Sequence, residues 1–111
     1  MSTIFVVIGS HGEYEDYHEW IVRAFHSEDH ATTFASDLMN DAYRVSQKFS
    51  SHHDLRPKCS EEDPDNVDVW REWHHKNQQI SRSSKDPEMH ELNLCVWGDG
   101  PRYSVVSVEI V

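Results

Sequence analysis

The sequence predicts an α+β domain: an antiparallel sheet of about four strands, in chain order β-β-α-α-β-β, with two helices packed on one face. Three patterns predict it. Residues 4–8 form a β-branched and aromatic run, residues 31–49 carry apolar side chains at helical spacing, and residues 92–96 and 105–110 alternate apolar with polar. At 111 residues the chain has surface enough for one hydrophobic core, so 1–111 is read as a single domain.

The first strand, 4–8, stops at Gly9-Ser10-His11-Gly12, which has turn composition. After the polar stretch 13–19, residues 20–25 return as a hairpin partner with Arg23 outward. Ser27 followed by Glu28 and Asp29 starts a helix, because the hydroxyl accepts an orphan N–H and the carboxylates favour the positive end of the helix dipole. Ala31, Phe34, Ala35, Leu38, Ala42, Val45 and Phe49 then recur at three- and four-residue steps, a stripe expected to face the sheet. Residues 50–62 lack an apolar period and contain Pro57, so a loop is expected there. Asp63-Pro64 starts a second helix whose inner stripe is Val67, Trp70, Trp73, His74, Asn77 and Ile80. Two strands close the chain, joined by a turn at Gly98-Asp99-Gly100-Pro101.

The formal charge is −10, from 20 acidic against 10 basic residues. A field of that sign repels phosphate backbones and anionic lipid, so direct nucleic-acid and membrane binding are disfavoured. The opening apolar run is too short for a membrane span and no basic residue precedes it, and Cys59 and Cys95 form no CxxC pair. Reduced thiols and a cytoplasmic location are the expectation.

Carboxylates gather twice. Glu61, Glu62, Asp63, Asp65 and Asp68 fall within eight residues, and Glu13, Glu15, Asp16 and Glu19 line the first turn. Two such patches could imitate a phosphate track and occupy a basic groove on a partner. They equally suit a solvated loop and the acid-favouring start of a helix. Tyr14, Tyr17 and Trp20 lie among the front acids, with Tyr14 expected exposed and Trp20 expected in the core.

Nine His prompt a metal alternative: Glu72 and His75 form an ExxH pair and Asp68 shares their helical face, so a small metal-binding protein or metal-dependent enzyme is conceivable. No second ExxH and no HExxH accompany them, and no cofactor is expected. GxSxG, Walker A and GxGxxG are absent too, which leaves no catalytic residue to nominate.

The run Gly12-Glu13-Tyr14-Glu15-Asp16-Tyr17, then residues 20–25 and 28–31, resembles the start of small uncharacterised phage and prophage proteins with a GEYxDY strand-turn-strand-helix pattern. The resemblance covers about the first third of the chain and implies fold more than activity. Short acidic phage proteins of this kind include inhibitors of host machinery, anti-CRISPR proteins among them. The expectation is therefore a non-enzymatic inhibitor, monomer or homodimer, that binds a basic host protein or nucleoprotein complex as a DNA mimic. Its expected contact residues are Glu13, Tyr14, Glu15, Asp16, Glu61, Glu62, Asp63, Asp65 and Asp68. A homo-oligomeric structural module is the remaining alternative.

Overall fold

A computed structural model describes residues 2–91 and 100–111. Among these the chain is α+β, with three strands and two helices: β1 (Ser2–His11), β2 (His18–Phe25), α1 (Glu28–His53), α2 (Val67–Arg82) and β3 (Arg102–Ile110). The sheet is antiparallel in the order β2-β1-β3, so the first strand of the chain is the central one. The expected β-β-α-α-β-β order is thus met only as β-β-α-α-β. The strand expected at 92–96 and the first half of its turn lie outside the described residues.

The chain divides into two compact units, residues 1–43 with 99–111 and residues 44–98, and the division falls within α1. α2 lies wholly in the second unit, and α1 contributes to both. In the sheet unit, Val7, Ala31, Ala35 and Leu38 form the buried core, with Phe5, Val22, Phe25, Phe34, Tyr103 and Val105 packed against it. Pairing of Val7 with Val105 and of Phe5 with Phe25 puts these strand residues on the face that meets α1. Val45 and Phe49, from the same predicted stripe, are buried in the second unit.

A bulge falls where Val7 pairs with Arg23 and Ile8 with Ile21, leaving Val22 as the extra residue of β2. Beyond it Trp20 pairs with Gly9, and a Cβ at Gly9 would lie 2.5 Å from the Trp20 ring. Trp20 accordingly packs over a bare stretch of backbone and stacks on His18, half-buried at the margin, where it had been expected inside the core.

In the second unit α1 runs to His53, four residues into the expected loop. Tertiary packing outweighs the missing apolar period: His52 is buried, stacks on Trp73 at 4.9 Å and donates from Nε2 to the Trp73 carbonyl at 2.9 Å. Trp73 Nε1 returns a hydrogen bond to the His52 carbonyl in the last turn of the helix, which also accepts from the Leu55 N–H. Asp63-Pro64 begins a single 3-10 turn, 64–66, with Asp63 accepting from the Asp65 amide at 3.0 Å, before α2 starts. The inner stripe of α2 shifts accordingly: Trp70, Asn77 and Ser81 are buried, whereas Val67 and His74 are exposed.

Candidate functional site

The first acidic cluster sits on the turn between β1 and β2. Gly12 has φ +89°, and Tyr14 has φ +54°, in the left-handed region a bulky side chain seldom adopts. Two backbone hydrogen bonds hold this turn, Asp16 N–H to the Glu13 carbonyl at 3.1 Å and Tyr17 N–H to the Tyr14 carbonyl at 3.2 Å. The result is a fixed tip on which Tyr14 is 94% exposed, flanked by Glu13, Glu15 and Asp16, all exposed. These three carboxylates make no ion pair among the described residues. The left-handed residue could not be read from the sequence, because Tyr carries no preference for that conformation; only the Gly12 turn composition pointed to a tight bend.

Behind the tip, the Tyr17 hydroxyl donates to the Glu19 carboxylate at 2.8 Å. That bond, strengthened by the negative charge, raises the Tyr17 pKa above its ordinary value of 10.0. Because the folded phenol holds its proton longer, the stabilisation is complete below the ordinary phenol range and is lost as pH rises through the raised value. Glu19→Gln is expected to move the Tyr17 titration back toward its ordinary range in near-ultraviolet difference spectra, with the other tyrosines unchanged.

The second cluster is differently placed. Glu61, Glu62, Asp63, Asp65 and Asp68 are all exposed and belong to the other unit. Glu61 accepts from His74 Nε2 at 2.8 Å, Asp68 faces Arg71 at 3.6 Å, and Asp63 is occupied by its cap. Three of the five are therefore engaged by their own chain. The sequence shows the same asymmetry: residues 1–43 and 99–111 hold ten carboxylates against Arg23 and Arg102, while 44–98 hold ten against eight bases. Most of the negative excess belongs to the sheet unit, a partition invisible until the units are known.

The metal alternative finds no support in the arrangement. Asp68 is directed to Arg71 and His75 accepts from Gln79 Nε2 at 3.2 Å, and no group of three or more His, Cys, Asp or Glu converges among the described residues. Tandem His74 and His75 part as helix geometry requires, His74 toward Glu61 and His75 toward Gln79.

Two further surfaces were not foreseen. The face of the sheet opposite α1 carries Ile4, Val6 and Ile8 of β1 in register with Val108, Val106 and Ser104 of β3, and Ile21, Val106, Val108 and Ile110 are exposed on it. Alternation along β3 set Val106, Val108 and Ile110 as its inner positions, but the faces are exchanged: these three are exposed and Val105 of the other set packs against the core. The second surface is an open pocket of about 200 Å3 in the other unit, beside the His52–Trp73 stack. No helix among the described residues is long and apolar enough to cross a membrane. No family model, no curated protein and no solved structure matches the chain.

Proposed function

We propose that this chain is a non-enzymatic binding protein that occupies a basic surface of a protein or nucleoprotein partner through the turn between β1 and β2. One observation carries the reading: a fully presented Tyr14, held in left-handed backbone, stands among three carboxylates that have no ion-pair partner in the described chain. Left-handed backbone at a non-glycine residue costs on the order of 1–3 kcal/mol, and such strain concentrates where a side chain is held ready for a ligand. Aromatic anchors within a charged surround are the usual energetic centres of interfaces, and unpaired charge of one sign speeds encounter with the opposite sign. The resemblance to phage proteins supports a host nucleoprotein complex of defence machinery as the partner, inhibited by mimicry of its nucleic acid.

The test compares the proteins captured from host lysate by the native chain and by variants, each checked for intact near-ultraviolet circular dichroism. Combined Glu13→Lys, Glu15→Lys and Asp16→Lys is expected to abolish capture of a basic partner, and Tyr14→Ala to weaken it about 30-fold, the equivalent of about 2 kcal/mol at an interface anchor. Reversal of Glu62 and Asp65 is expected to change little. Undiminished capture by the triple variant sinks the proposal.

A second reading, self-association, rests on the exposed apolar positions Ile21, Val106, Val108 and Ile110 of the sheet. Light scattering across a concentration series distinguishes it, since Val108→Lys would then dissolve the assembly.

A further inference from the structure

The pocket of the second unit has walls of Leu55, Pro57 and Val69, an aromatic base at Trp73, and Glu72 and Lys76 on its rim. Its base is built firmly. Trp73 is held by the stack with His52, by the two reciprocal hydrogen bonds with that residue, and by edge-on contact with Trp70 at 5.8 Å. Its walls are open, since Leu55 is 72% and Val69 50% exposed. At about 200 Å3 it is smaller than the roughly 300–1,000 Å3 of pockets for drug-sized molecules, so its occupant has the bulk of a single amino acid.

The rim specifies the polarity of that occupant. Glu72 and Lys76 stand four residues apart on α2, acid before base, which is the spacing and order that favours an ion pair. They make none, with each other or with any described residue. Both charges remain on the rim of an open pocket whose walls are only partly apolar. A neutral apolar ligand would gain only the walls, and a singly charged one would meet its opposite and its like together. A ligand carrying both an ammonium and a carboxylate answers Glu72 and Lys76 at once.

We propose that this pocket binds a compact zwitterion with a bulky apolar side chain, the chemistry of a free aromatic or branched α-amino acid. The ammonium faces Glu72, the carboxylate faces Lys76, and the side chain lies against Leu55, Val69 and Trp73. The site is independent of the β1–β2 turn and does not need the binding function proposed for it.

The experiment titrates L-phenylalanine into the full chain and follows the methyl resonances of Leu55 and Val69 and the indole N–H of Trp73. Saturable shifts are expected with a dissociation constant on the order of 1 mM, given a ligand this small in an open site. Phenethylamine and 3-phenylpropionate, each lacking one charge, are expected to bind about threefold more weakly, as are the surface variants Glu72→Gln and Lys76→Met. Neither variant touches the core, so loss of folding does not confuse the result. Absence of shifts with L-phenylalanine at about tenfold that constant overturns the proposal. So does undiminished affinity for N-acetyl-L-phenylalaninamide, which keeps the ring and lacks both charges, or affinity for L-phenylalanine in the two variants that is unchanged from the native chain.

Discussion

Phe49→Ala is expected to destabilise the second unit by about 3–5 kcal/mol, the usual cost of truncating a buried aromatic side chain. Phe49 is 2% exposed and lies well inside α1, where Ala would if anything favour the helix. The loss is therefore one of packing, and backbone propensity does not add to it. Urea unfolding followed by tryptophan fluorescence measures it: the midpoint should fall sharply with little change in slope. Tyr43→Ala, on the same helix but 68% exposed, should stay within about 0.5 kcal/mol of the native chain. An equal effect of the two substitutions would mean that Phe49 is not buried in solution.

Gly12→Ala is expected to dismantle the turn between β1 and β2. At φ +89° an L-residue is strained by roughly 1–3 kcal/mol whatever surrounds it. The added Cβ also runs into the backbone carbonyl of Asp16, which cannot swing aside as a flexible side chain could. Relief of that contact requires a shift of the Asp16 backbone, whose N–H is bonded to the Glu13 carbonyl, and the presentation of Tyr14 shifts with it. Thermal unfolding should show the loss of stability, and the Tyr14 amide resonance should move toward its random-coil position. Partner capture should fall at least as far as with Tyr14→Ala. A variant that melts normally and keeps the Tyr14 shift would show that the turn tolerates a side chain there.

The parts of this fold governed by local periodicity were legible from residues alone. The hairpin of β1 and β2 and the start of α1 after Ser27 followed directly from run, stripe and cap chemistry; Asp63 does cap, but it caps a 3-10 turn ahead of α2 and not the helix itself. What escaped was decided by partners distant in sequence. Residues 50–53 have no apolar period, yet His52 is drawn into the helix by a tryptophan 21 residues on. One apolar stripe on α1 reads as one buried face, although Leu38 and Phe49 belong to different units. The exposure of the acidic clusters was legible, and Tyr14 stands out as expected. The unequal standing of the clusters was not, because it depends on whether His74 and Arg71 reach the second one.

The bulge at Val22 bears on how this chain can assemble. β2 is an outermost strand of the described sheet, and an outermost strand ordinarily offers its free amides and carbonyls as a template for a stranger's backbone. An extra residue midway breaks the repeat of that template, so an incoming strand in register with residues 18–21 falls out of register at 23–25. Recruitment along this margin is thereby discouraged, and concentrated solutions should resist fibril growth from it.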